Sequence, residues 1–155
     1  MMHFHTYEPE TVAALRAGQA DVYGNPAEHA TSDGTGKPCR CCLAQVPDGA
    51  EMLIAAARPF PNLHAYAETG PIFLCAEDCQ PFDGAGLPPV LRSSPTYLLK
   101  AYDADYRIIY GTGKITPRAE LEDYAQRLLA MDGTAFVDVR SATNNCFLTR
   151  ITATP

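Results

Sequence analysis

A cluster of cysteines constrains this chain more than any other feature. Three of its six cysteines stand within four residues, in the stretch Lys-Pro-Cys-Arg-Cys-Cys-Leu at residues 37–43, and a second close pair follows at Cys75 and Cys79. Structural zinc sites favour four thiolates in a tetrahedron, paired at short spacing so that each pair chelates from one turn. The pattern therefore predicts one structural zinc held by Cys39, Cys42, Cys75 and Cys79.

Two further residues offer alternative ligands, and two offer charge compensation. Cys41 is a third thiol in the first group, and His64, which lies between the two pairs, can replace one cysteine. Lys37 and Arg40 are close enough in sequence to offset the excess negative charge of four thiolates. The competing interpretation is that the cysteines are free and separately buried, where a thiol behaves as a small hydrophobe.

The first residues of the chain and its net charge indicate the compartment in which the protein resides and the partners that it binds. The first residues, Met-Met-His-Phe-His-Thr, lack the basic and apolar regions of a secretory signal peptide. We therefore expect a cytoplasmic protein, in which thiols stay reduced. The formal net charge of −6 argues against phosphate backbones or anionic lipid, which attract clustered Lys and Arg. The expected partner is a small molecule or a protein, with no nucleic acid and no membrane.

The first half of the chain predicts few regular elements. Residues 8–17 begin with acids and precede a glycine, which predicts a short N-terminal helix. Residues 19–38 are rich in Gly, Asn, Pro, Ser, Asp and Thr and indicate an irregular loop that leads to Cys39. Short apolar runs at residues 52–57 and 72–76 are typical of buried strands.

The second half carries stronger signals. Residues 97–102 and 107–110, rich in Tyr, Leu and Ile, predict a β-hairpin. Leucines at helical spacing predict a long helix over residues 117–131. Two alternating stretches, residues 135–140 and 146–152, predict a second hairpin.

This succession of hairpins, without regular strand–helix–strand alternation, predicts an α+β fold on a mainly antiparallel sheet. The length suits one domain spanning residues 1–155.

Four segments are similar to those of a known family. They are Lys-Pro-Cys-Arg at residues 37–40, Tyr-Ala-Glu-Thr-Gly-Pro-Ile-Phe at 66–73, Leu-Lys-Ala-Tyr-Asp at 99–103 and Asn-Cys-Phe-Leu-Thr-Arg-Ile at 145–151. Together they resemble the uncharacterised family known as domain of unknown function 1203, over most of the chain from about residue 20 onward. The resemblance implies no activity, substrate or catalytic residues.

No catalytic constellation is complete in the sequence. A cysteine nucleophile needs an activating base, and the available pairing is Cys146 with His29 or His64, yet Cys146 falls in a predicted strand. Glycines 111 and 113 precede a lysine, but the stretch lacks the spacing of a P-loop.

Three function classes follow, and metal content separates the first and third from the second. The first is a small binding or interaction module, stabilised by zinc. The second is a thiol-dependent or redox enzyme that uses Cys39, Cys41 and Cys42, for which a depressed thiol pKa would be the signature. The third is a metal-handling protein.

Overall fold

The computed structural model describes residues 1–155 and contains eight strands and two α-helices. In chain order they are β1 (Met2–His5), α1 (Pro9–Arg16), β2 (Glu28–Thr31), β3 (Glu51–Ala57), β4 (Gly70–Cys75), β5 (Thr96–Tyr102), β6 (Lys114–Pro117), α2 (Leu121–Leu129), β7 (Phe136–Ser141) and β8 (Phe147–Ala153). The predicted α+β class is confirmed, and all strand pairs within the two sheets are antiparallel.

The larger sheet has five strands in the order β1-β8-β7-β5-β6. The predicted closing hairpin is present as β7 and β8, which pair with a register shift between Val139 and Arg140. Alternate residues of these strands, such as Val137, Val139 and Ile151, pack with α2 in one buried cluster. The remaining residues of the same strands face the opposite side of the sheet, because side chains alternate along a strand.

The smaller sheet has three strands in the order β2-β3-β4. Its β3 and β4 are the two short apolar runs, and they pair from Met52 opposite Cys75 to Ala57 opposite Gly70. Helix α1 packs on this sheet through Val12 and Leu15. The smaller sheet therefore has its own apolar cluster, separate from the one beneath α2.

The long helix predicted at residues 117–131 is wrong in its length. Residues Lys114–Pro117 form the edge strand β6, Arg118–Glu120 form a 3-10 turn, and α2 covers only Leu121–Leu129. Pairing of β6 with β5 satisfies backbone groups that the helical interpretation assigned to a first turn. The leucine spacing was correctly interpreted, since Leu121 and Leu128 are buried.

The first predicted hairpin is wrong in its second strand. Strand β5 pairs with β6 instead of residues 107–110, which keep a single bridge between Tyr102 and Ile108. The Asp103 carboxylate accepts hydrogen bonds from the backbone N–H groups of Asp105 and Arg107 and closes a local turn. Backbone hydrogen bonds from Asp103 to Arg107 and from Ile109 to Ala101 complete this short turn, and no strand follows from it.

The loop predicted at residues 19–38 is more ordered than its composition suggests. It contains β2, which pairs with β3. Upstream of β2, Asp21 accepts hydrogen bonds from the N–H groups of Tyr23, Asn25 and Ala56. These bonds lower the pKa of Asp21, and the bond from the Ala56 N–H has the largest effect. The loop is thus fastened to the smaller sheet by backbone pairing and by one carboxylate.

Candidate metal centre

The first cysteine pair lies in a tight turn that begins after Pro38. The N–H of Cys39 donates to the carbonyl of Ala44, and the N–H of Leu43 donates back to the carbonyl of Cys39, at 2.9 and 3.0 Å. Leu43 takes a positive φ of 52° to close the turn. The turn, residues 39–43, is called the knuckle below, and it presents Cys39 and Cys42 on one side.

The second pair is brought to the knuckle by β4. The N–H of Arg40 donates to the carbonyl of Phe73, and Cys39 forms a parallel bridge with the same residue. Cys75 ends β4, and Cys79 lies in the segment that follows. Backbone contacts between the knuckle and β4 thus bring together two cysteine pairs that lie far apart in the sequence.

The four predicted cysteines come together. The Sγ atoms of Cys39, Cys42, Cys75 and Cys79 all lie within 4.8 Å of one another. The Sγ atoms of Cys39 and Cys79 are 3.9 Å apart, close to the sulfur–sulfur distance of about 3.8 Å in a tetrahedron with metal–sulfur bonds of about 2.3 Å. All six cysteines are free thiols. These four can hold a metal ion.

The thiols differ in their acidity. The Cys42 thiol and the N–H groups of Cys75, Cys42 and Cys41 donate to Cys39 and lower its pKa to about 4. The Cys39 thiolate in turn raises the pKa of Cys42 above its ordinary value, with burial adding to the effect. Burial, followed by the Cys39 charge, raises the pKa of Cys75 to about 12. The cluster favours one thiolate by itself, and a divalent cation is the charge that would ionise the others. The lowered pKa of Cys39 is also the signature of the thiol-dependent class, but a reactive thiolate needs access to its substrate, and Cys39 is fully buried.

Donors around the sulfurs resemble an outer shell of a metal site. The backbone N–H groups of Cys41 and Cys75 lie 3.4 and 3.3 Å from the Cys39 sulfur. Arg16, in the last turn of α1, donates from Nη2 to the Cys79 sulfur at 3.2 Å and from Nε to the Cys75 carbonyl at 3.1 Å. Arg16 is the cation that contacts the thiols.

The other residues weighed as ligands or as compensating charges lie elsewhere. Cys41 is buried beside Cys79 but outside the group of four. His64 packs against Phe60 and accepts a hydrogen bond from a backbone N–H. Arg40 donates to the carbonyls of Phe147 and Pro38, and Lys37 to that of Thr35. Neither Lys37 nor Arg40 is hydrogen-bonded to a thiol. Burial lowers the pKa of Arg40, and the charges of Cys146 and Cys39 oppose that shift, so Arg40 interacts with a thiolate at a distance, whereas Arg16 makes the direct contact.

Cys146 lacks the base that nucleophilic chemistry requires. Its thiol contacts only the carbonyl of Asn144 in the β7–β8 turn. His29 pairs with Glu51 on the smaller sheet, and the hydrogen bond of His64 is to its own loop. Neither histidine is hydrogen-bonded to Cys146.

The knuckle is also the junction of the two sheets. Leu43 is fully buried in the cluster beneath α2, whereas Cys39 and Cys41 belong to the cluster of the smaller sheet. Three backbone hydrogen bonds link the knuckle to neighbouring segments. The N–H of Tyr7, just after β1, donates to the carbonyl of Arg40, and the N–H of Phe82, in the segment after Cys79, donates to the carbonyl of Cys41. The N–H of Val90, in the 3-10 turn Pro89–Arg92, donates to the carbonyl of Leu43. A metal bound here would fix the turn on which both cores converge.

These features define an α+β protein with a four-cysteine candidate metal centre between two antiparallel sheets. The chain belongs to the family described as "Protein of unknown function (DUF1203)", whose model matches residues 36–153. The match confirms the resemblance, although it begins later than residue 20. Searches of curated proteins and of solved structures gave no match. Neither helix is long and apolar enough to cross a membrane.

Proposed function

We propose that this protein is a small cytoplasmic binding module whose two sheets form one domain, held together by a structural zinc on Cys39, Cys42, Cys75 and Cys79. The observation that carries the proposal is the convergence of four thiol sulfurs within 4.8 Å. Clustered thiols that remain free are typical of metal ligands in a reducing compartment.

The ligand set favours zinc and a structural role. Soft thiolates select zinc or iron over hard cations, and four of them around one ion leave no position for a reactive water. Cys39 is fully buried, and Arg16 offsets part of the negative charge of a tetrathiolate. The net charge of −6 supports a small-molecule or protein partner and disfavours nucleic acid and anionic membranes.

The test is metal stoichiometry. Protein purified without added metal, measured by plasma mass spectrometry, should carry about one zinc per chain, as expected for a closed tetrahedral site. Cys42→Ser should lose the metal. Cys146→Ser is the matched control, since Cys146 lies outside the group of four, and it should keep the metal.

Other outcomes of the metal measurement would lead to different conclusions. Iron at the same stoichiometry would keep the site and change the metal. Zinc that is substoichiometric and exchanges rapidly would favour the metal-handling class. Metal-free protein whose cysteines all react with a thiol reagent while native would overturn the proposal. Metal-free protein with a disulfide between two of Cys39, Cys41 and Cys42 would also overturn it and would favour the thiol-dependent alternative.

A further inference from the structure

A layer of charged side chains is buried on the face of the larger sheet that points away from α2. Its members alternate with core residues along β5, β7 and β8, and they are Lys100, Asp138, Arg140 and Arg150. Glu68, just before β4, contributes the second carboxylate. Burial of charge is costly unless it is paired, so the pairing within this layer decides what the layer is for.

One pair in the layer is complete. Asp138 is fully buried, and Arg150 donates to its two carboxylate oxygens from Nε and Nη2 at 2.7 and 2.9 Å. The Arg150 guanidinium also lies 3.8 Å from the centre of the Phe136 ring. These two hydrogen bonds occupy both carboxylate oxygens of Asp138 and the Nε–Nη2 edge of Arg150.

Arg140, in contrast, is incompletely paired although its exposed fraction is only 4%. Its Nη1 donates to the carbonyl of Asn145 at 3.0 Å. Its Nε and Nη2 have no hydrogen-bond partner. The Nη2 atom lies 2.8 Å from Oε2 of Glu68, but that oxygen is also unpartnered, so the two groups are close and badly aligned.

Arg140 is one of the residues that line a cavity of about 350 Å³, although its Nε and Nη2 atoms are themselves buried while Glu68 lies against them. Glu68, Thr69, Gly70, Asn144 and Cys146 contribute to its lining. A volume of this size is at the lower end of small-molecule sites. Movement of Glu68 away from Arg140 would add two parallel N–H donors to a cavity with room for a small ligand, the arrangement that recognises a carboxylate at two points.

The charge balance of the layer favours an anion. Lys100, Arg140 and Arg150 are three cations against the carboxylates of Asp138 and Glu68. Lys100 Nζ lies 3.8 Å from the other oxygen of Glu68, Oε1, so Glu68 can keep a partner when it moves away from Arg140. Glu68 is the partly exposed member of the pair, at 42% against 5% for the Arg140 side chain, and is the one free to move.

We propose that this cavity binds a small organic carboxylate, which displaces Glu68 from Arg140 and takes both the Nε–H and Nη2–H donors. The inference names the ligand class of the binding module proposed above and rests on that binding role. It does not depend on the metal, because no cysteine of the candidate centre lines the cavity.

The experiment is a titration of ¹⁵N-labelled full-length protein with sodium succinate at constant ionic strength, with sodium chloride as the blank and sodium phosphate as the second anion. Succinate should shift the Arg140 Nε–H and Asn145 backbone resonances and saturate. Arg140→Gln should weaken binding by at least about tenfold, as for loss of a charge-assisted hydrogen bond. Glu68→Gln should strengthen binding, because it removes the competing charge while keeping the size.

Arg127→Gln, on the exposed face of α2, is the matched control and should leave the affinity unchanged. If Arg140→Gln fails to fold, alkylation of Cys146 in the unaltered protein, followed by peptide mass spectrometry, replaces it, and saturating succinate should slow that reaction. No saturable shift with succinate, binding that Glu68→Gln weakens, or saturation by phosphate alone would overturn the proposal. Zinc measured on the same samples separates this outcome from failure of the metal proposal.

Discussion

The two sheets of this protein have the same antiparallel pairing but very different cores. The cluster beneath the larger sheet contains large side chains such as Leu99, Leu121 and Ile151, all fully buried. The cluster of the smaller sheet is filled in part by thiols and alanines, among them Cys39, Cys41, Ala55 and Ala57.

The difference shows how each sheet is stabilised. Burial of apolar surface contributes roughly 25 cal/mol per Å², so the thiols and alanines among the 11 buried residues of this cluster give the three-stranded sheet less stability than larger side chains would. A metal crosslink is the usual solution for a unit whose core is too small. We infer that the larger sheet depends on packing and the smaller sheet on its candidate metal centre.

The largest expected effect comes from removing one ligand. Cys42→Ser should lower the free energy of unfolding by about 5 kcal/mol or more, because structural metal binding adds directly to folding. Hydrogen exchange should show protection lost in β2, β3 and β4 and largely kept in β5, β7 and β8. Cys146→Ser should change neither, and equal loss in both sheets would break the comparison.

A core truncation should have the next largest effect, in the other sheet. Leu128→Ala removes a nearly fully buried side chain of α2 and should cost about 2–5 kcal/mol in a denaturant melt. The metal content should remain unchanged, since Leu128 lies in the cluster beneath α2. A decrease in the free energy of unfolding below about half a kcal/mol, the range typical of surface positions, would show that packing against this face of α2 does not stabilise the larger sheet.

Arg16 should have a smaller effect, confined to the metal centre. Removing an outer-shell partner typically weakens metal affinity by about 10- to 100-fold, and we expect Arg16→Ala to fall in this range in a chelator competition. Arg16→Lys should retain part of the affinity, because it keeps the charge without the two-point contact to Cys79 and the Cys75 carbonyl. Unchanged metal affinity in Arg16→Ala would show that this arginine does not support the metal centre.

Asp21 should have the smallest effect. Asp21→Asn should cost about 0.5–1 kcal/mol at pH 7, by weakening exposed hydrogen bonds to a charged acceptor. The pKa of this carboxyl is lowered in the folded protein, so its contribution is present above the ordinary value of about 4 and is lost as the pH falls through the lowered one. The difference between the two proteins should therefore vanish in acid, whereas Asp132→Asn, the exposed control, should show no difference at any pH.

The sequence predicted which four cysteines come together better than it predicted the sheets. Two close cysteine pairs are a local signal, because chelation from a turn depends on a few residues. Strand β6 and the short α2 depended on pairing between residues distant in the chain, and the leucine periodicity of residues 117–131 could not reveal that Lys114–Pro117 joins β5.

The buried charges were hidden for a related reason. The alternation Val-Asp-Val-Arg in β7 is typical of a strand with one face in water, and nothing local shows that both faces are covered. The contact of Arg16 with the candidate metal centre could likewise not be predicted from the sequence, since it joins Arg16 to Cys79, which lies far away in the chain.

The most direct test of the central claim is zinc K-edge X-ray absorption on the purified protein. We predict a single shell of four sulfur atoms at about 2.3 Å with no nitrogen or oxygen neighbour, and loss of the zinc in Cys42→Ser. A shell that contains nitrogen or oxygen would mean that a histidine or a water completes the site, and protein that holds neither zinc nor iron would mean that the smaller sheet is held by packing alone. Either result would contradict a closed four-cysteine centre that joins the two sheets.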